Sequence, residues 1–76
     1  MKKKIFAIIP AYNEEKLISQ VIKETTKYVD KVIVVDDGGK DKTSEIAEKS
    51  KAIVLRHLVN LGKGAALKTG CDYAVK

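Results

Sequence analysis

Several features that commonly stabilise or localise a small protein are scarce in this chain. Cys71 is the only cysteine among 76 residues, so no intrachain disulfide can form, and a reducing cytoplasm fits. Aromatic residues make up 5% of the chain and there is no arginine-rich stripe. The formal net charge of +5 therefore comes from scattered lysines, apart from Lys2-Lys3-Lys4, and the pattern argues against a nucleic-acid partner. No apolar run approaches the roughly 20 residues of a membrane span. The five apolar residues from Ile5 to Ile9 end at Pro10, too few for the core of a signal peptide, so the preceding lysines are read as flanking a first strand. Disorder is excluded as well: 45% of the residues are hydrophobic and 33% charged, an ordinary globular balance. The length bounds the chain to one small domain or part of a larger one.

What is present is a repeated short apolar run. Ile5–Ile9, Val32–Val35 and Ala52–Leu55 are rich in β-branched residues and do not alternate with polar ones. That pattern predicts parallel strands covered on both faces. Between the first two runs, Leu17, Ile18, Val21 and Ile22 form one stripe of a helix predicted from Glu14 to about Tyr28, with Asn13 as N-cap and Glu14 and Glu15 in its first turn. A second helix is predicted to end at Ser50, capped by Asp41 or Thr43, with Ile46 and Ala47 inward. A third starts near Gly62 and runs to the end, with Ala65, Ala66, Thr69 and Tyr73 along its buried side. The fold class is α/β: a three-layer, mostly parallel sheet in the order β-α-β-α-β-α. In the strand order 3-2-1, the first two helices cover one face and the last is left for the other. The first strand then has a free apolar edge, which predicts either a further strand or self-association.

Ligands of open α/β sheets bind outside the carboxyl ends of the strands. There the chain places Pro10-Ala11-Tyr12-Asn13-Glu14, then Asp36-Asp37-Gly38-Gly39, then His57, Asn60 and Gly62-Lys63-Gly64. Acids, an aromatic ring, a lysine and a glycine-flanked helix start suit a nucleotide. A carboxylate can accept the ring N–H of uracil or guanine, a tyrosine can pack on the base, and helix N–H groups with a lysine can face phosphate. Each feature also has a structural reading: Asp-Gly is a common turn, Glu15 suits a helix dipole, and Lys63 could be a solvated helix residue. His57 has no neighbouring nucleophile and is read as a strand-end residue with a local hydrogen bond. Gly62-Lys63-Gly64-Ala65-Ala66-Leu67 is not a dinucleotide fingerprint, because Leu67 stands where a small residue is needed. Lys68-Thr69 is no P-loop, because Leu67 replaces the glycine.

Ile8-Ile9-Pro10-Ala11-Tyr12-Asn13-Glu14, Val34-Val35-Asp36-Asp37-Gly38 and Asn60-Leu61-Gly62-Lys63-Gly64-Ala65-Ala66, in that order, resemble the start of a family-2 glycosyltransferase. The likeness is to the branch of dolichyl-phosphate mannosyltransferases and other polyprenyl-phosphate glycosyltransferases. The resemblance implies a GT-A, Rossmann-like fold of which residues 1–76 are the N-terminal nucleotide-sugar-binding part. It implies a UDP- or GDP-sugar donor, a polyprenyl-phosphate acceptor and a cytoplasmic place peripheral to the membrane. By the same resemblance Pro10, Tyr12 and Glu14 surround the nucleoside, Asp36 or Asp37 reads the base, and Lys63 lies near the nucleotide. The family's divalent cation, Mg or Mn, is held by an Asp-x-Asp motif that this chain lacks, and its catalytic base and acceptor site lie further on. The 76 residues alone are therefore expected to be inactive. The competing expectation is a non-catalytic module that binds nucleotide weakly or self-associates through its open edge; a receiver-like domain fits less well. One departure is Gly39, where the family commonly has serine, which predicts a looser start to the second helix.

Overall fold

The computed structural model describes residues 3–75, so the expectations for Met1, Lys2 and Lys76 lie outside the described residues. Three strands alternate with three helices: β1 (Phe6–Ala11), α1 (Ile18–Thr25), β2 (Lys31–Asp37), α2 (Thr43–Lys49), β3 (Ile53–His57) and α3 (Lys63–Ala74). The strands form one parallel sheet in the order β1-β2-β3, with β2 central. This is the expected α/β architecture.

The apolar runs form strands because both faces of β2 are covered. Val32 and Val34 point to one side, with Ile18 and Ile22 of α1 and Ala47 of α2. Ile33 and Val35 point to the other, with Ala66 of α3 and the half-buried Phe6, Ile8, Ile53 and Leu55. Successive strand residues face opposite ways, so a continuous apolar run is what a two-sided core requires. Each such aliphatic side chain contributes about 1.5–3 kcal/mol by leaving water. On the second face α3 lies close over β1: a Cβ on Gly70 would sit 3.3 Å from the Cβ of Ile8 and overlap its branch methyl. The first two helices cover one face and the third the other, as the sequence predicts.

The strands run further than expected. β1 continues through Pro10 to Ala11, which its place at the sheet edge permits, and β2 includes both Asp36 and Asp37. The helix after β1 is shorter than expected. Asn13 is not its N-cap: its backbone is left-handed (φ 53°) and its Oδ1 accepts from the Lys40 N–H at 2.9 Å. Glu14 to Leu17 form a turn instead, with the Glu14 carbonyl accepting from the Leu17 and Ile18 N–H groups, and no acid lies in the first helical turn. Leu17 and Val21, placed in the apolar stripe by spacing, are 56% and 41% exposed; only Ile18 and Ile22 are buried. In α3 Tyr73 is 42% exposed, and the buried positions are Ala66 and Gly70. Among the described residues no helix is long and apolar enough to cross a membrane.

Candidate functional site

The carboxyl ends of the strands are joined by hydrogen bonds between loops. The Thr43 hydroxyl accepts from the Glu14 N–H (2.9 Å), and Asp41 Oδ2 accepts from the Glu15 N–H (3.1 Å). Glu15 Oε1 in turn accepts from the Lys42 N–H at 3.1 Å. Asp41 Oδ1 accepts from the Thr43 N–H at 2.9 Å, but the N-cap position of α2 is held by Lys42, not by the expected Asp41 or Thr43, and carries no side-chain cap hydrogen bond. Burial works to raise the Asp41 carboxyl, but hydrogen bonds from the Thr43 hydroxyl, the Thr43 N–H and the Glu15 N–H outweigh it and hold it below the ordinary carboxylate value.

Strand alternation sends the two adjacent acids to opposite sides. Asp36 follows Val32 and Val34 towards α1 and α2 and is fully buried. Its Oδ1 accepts from the Gly39 N–H (3.0 Å) and its Oδ2 from the Ser44 hydroxyl (2.6 Å). A Cβ on Gly39 would lie 2.9 Å from both Asp36 Oδ1 and Asn13 Oδ1. The glycine in place of the family's serine thus accommodates a close approach of two side chains, and the start of α2 is not left loose. The Arg56 guanidinium donates to the Gly39 carbonyl at 2.8 Å and closes this side.

Asp37 follows Ile33 and Val35 towards α3. Its Oδ1 accepts from His57 Nδ1 (2.7 Å) and the Leu61 N–H (2.9 Å), and its Oδ2 from the Gly62 N–H (2.8 Å). A carboxylate only accepts, so Nδ1 carries the ring hydrogen, and His57 Nε2 meets the Thr69 hydroxyl at 2.7 Å. The His57 hydrogen bond and those from the Leu61 and Gly62 N–H groups hold the Asp37 carboxyl below its ordinary value against the opposing pull of burial. A carboxylate has about four acceptor positions. Three on Asp37 are filled among the described residues, and the fourth, on Oδ2, remains.

Asp37 lines a cleft of about 400 Å³ together with Pro10, Ala11, Tyr12, Glu14, Asn60, Gly62 and Lys63. All three strand ends contribute. Gly38 and Gly62 shape it with left-handed backbone, φ 78° and 99°. A Cβ on Gly38 would lie 2.8 Å from the Val59 carbonyl oxygen and overlap its carbon, so the β3–α3 loop can close on β2 only over a glycine. Of the residues singled out from sequence, Pro10, Tyr12, Glu14, Asp37 and Lys63 line this cleft, whereas Asp36 does not. His57 has the local hydrogen bond expected of it. Ser44 and Arg56 escaped the sequence reading; a hydroxyl in the first turn of the helix after a strand-end acid was the available signal.

Residues 6–76 match one family, Glycosyl transferase family 2. The chain belongs to that family. It is 51% identical over 75 residues to an uncharacterized protein of Methanocaldococcus jannaschii, covering 97% of this chain and 31% of that one. It is 40% identical over 90 residues to the UDP-N-acetylglucosamine–dolichyl-phosphate N-acetylglucosaminyltransferase of Methanococcus voltae, covering 95% of this chain and 36% of the relative. Among solved structures it is similar to the glucosyl-3-phosphoglycerate synthase of Mycobacterium tuberculosis in complex with Mn2+, uridine diphosphate and glucosyl-3-phosphoglycerate. There the TM-score is 0.74 and the identity 36%, covering 86% of this chain and 27% of that one. The likeness supports the GT-A, Rossmann-like reading of the fold. The chain spans about a third or less of the length of the first relatives it matches.

Proposed function

We propose that this chain forms the nucleoside-binding part of a glycosyltransferase whose donor is a UDP- or GDP-sugar. The observation that carries the reading is Asp37, with three of its four acceptor positions filled, at the wall of a cleft that Tyr12, Pro10, Glu14 and Lys63 also line. Asp37 accepts a ring N–H of the base. The exposed Tyr12 ring packs beside it, and Lys63 with the first N–H groups of α3 faces the diphosphate, since the opening turn of a helix leaves such groups without backbone partners. The relatives' dolichyl-phosphate substrates make a polyprenyl phosphate the proposed acceptor, reached from the membrane surface. In the transfer, the bond between the anomeric carbon and the diphosphate oxygen breaks as the acceptor oxygen bonds to that carbon, and the nucleoside diphosphate leaves.

A divalent cation is proposed for the complete enzyme, in line with the Mn2+ of the similar synthase. The residues of this chain do not fit it. Among the described residues no group of three His, Cys, Asp or Glu side chains could hold a metal, Asp36 is turned inward, and Asp37 is engaged by three donors. No step is therefore assigned to a metal here, and the 76 residues alone are proposed to bind donor without turning it over. Calorimetric titration of the chain with UDP and GDP tests the binding. Saturation by at least one is expected, and no saturable signal at millimolar nucleotide contradicts the reading. Sugar transfer by the isolated chain with added Mg or Mn would contradict its proposed inactivity.

A further inference from the structure

Resting on that nucleotide reading, the geometry points to His57, steadied by Thr69, as a specificity-determining residue that makes the cleft select uracil over guanine. The two bases ask different things of a carboxylate. Uracil presents one ring N–H between two carbonyl groups. Guanine presents a ring N–H and an adjacent amino group, two parallel donors that pair best with both oxygens of one carboxylate. On Asp37 the two oxygens are not equivalent. Oδ1 is filled by His57 Nδ1 and the Leu61 N–H, while Oδ2 holds only the Gly62 N–H. Asp37 therefore offers the cleft one acceptor, which satisfies uracil and leaves one guanine donor unpaired.

His57 does this from outside the cleft. It does not line the cavity, and its side chain is 10% exposed. β2 and β3 place it directly opposite Asp37 in the sheet register. Its far nitrogen is tied to the Thr69 hydroxyl on α3 at 2.7 Å, which fixes the ring plane and keeps Nδ1 on Oδ1. His57 is thus a positioning residue: it sets both the rotation of the Asp37 carboxylate and the number of acceptors it shows. A polar group left unpaired in a closed site discriminates strongly between otherwise similar ligands.

The test is titration of the full chain and four variants with UDP and GDP, folding being checked by circular dichroism. The unaltered chain is expected to bind UDP at least about tenfold more tightly than GDP. His57→Ala frees the Asp37 carboxylate to rotate and turn both oxygens towards the cleft, so its UDP affinity falls and the UDP-to-GDP ratio narrows severalfold. His57→Asn, which keeps an N–H near Oδ1, retains most of the preference. Thr69→Val narrows the ratio less than His57→Ala, and Thr69→Ser restores it. Should His57→Ala fail to fold, the Thr69 pair carries the test. Nucleotide binding with no preference for UDP, or a ratio unchanged in both His57→Ala and Thr69→Val, overturns the role of His57 while leaving the nucleotide reading intact. Binding of neither nucleotide overturns both.

Discussion

The two sides of the end of β2 are built from the same chemistry and end up opposite in character. On the α1–α2 side, Asp36 is covered, its two oxygens accept from Gly39 and Ser44, and Arg56 closes over the Gly39 carbonyl. On the α3 side, Asp37 is also nearly covered, yet it lines a cleft that Asp36 does not reach. The difference follows from what lies above each acid. Asp36 meets its own loop, which folds back within three residues. Asp37 meets the β3–α3 loop, which reaches it only with two backbone N–H groups and then turns away at Gly62. One side of the strand end is covered by the fold, and the other borders the cleft where nucleotide binding is proposed.

If that contrast is right, damage on the closed side appears in stability and damage on the open side in binding. The largest stability effect is expected at Ile22, fully buried on the inner face of α1: Ile22→Ala should lower the unfolding free energy by about 2–5 kcal/mol in urea denaturation. Asp36→Ala should cost about 1–3 kcal/mol, because the buried Gly39 N–H loses its acceptor. Gly70→Ala, on the α3 side, tests packing away from the cleft. Its Cβ would press on Ile8 and should cost about 1–3 kcal/mol unless α3 lifts from β1. Ser44→Ala should be the mildest of these, at about 0.5–1.5 kcal/mol. Equal losses of stability from Ser44→Ala and Ile22→Ala would break the proposed ranking.

A pH series sharpens the contrast further. The folded Asp37 carboxyl lies below its ordinary value, held there by His57 and the Leu61 and Gly62 N–H groups. Its ionised form therefore favours the fold at pH values above the unfolded carboxyl's, near pH 4, and that contribution is lost as pH falls through the lower folded value. Urea midpoints measured from about pH 5 down to about pH 2 should fall more steeply for the unaltered chain than for Asp37→Asn. Parallel curves would mean that the hydrogen bonds to Asp37 do not distinguish folded from unfolded chain.

Much of this was legible in residues alone, and the rest failed for identifiable reasons. Uninterrupted β-branched runs announced a two-sided parallel sheet, and the strand-end residues Pro10, Tyr12, Glu14 and Lys63 could be grouped because topology brings strand ends together. The start of α1 was misread because Asn13, a good cap by type, is drawn across to the Lys40 N–H. Leu17 was misread because spacing marks a stripe without saying how wide the covering element is. The separation of Asp36 from Asp37 depended on knowing that both acids belong to β2. Once they do, alternation assigns them to opposite faces, and the partners of each, Ser44 or His57, follow from what packs there.

The central claim is that Asp37, and not Asp36, faces the ligand. The most direct measurement is UDP titration of Asp37→Asn beside Asp36→Asn, each at a temperature where circular dichroism shows it folded. The account predicts at least about a tenfold loss of affinity for Asp37→Asn, whose amide turns a donor towards existing donors, and near-unchanged affinity for Asp36→Asn. Equal losses, or a greater loss for Asp36→Asn, would contradict it.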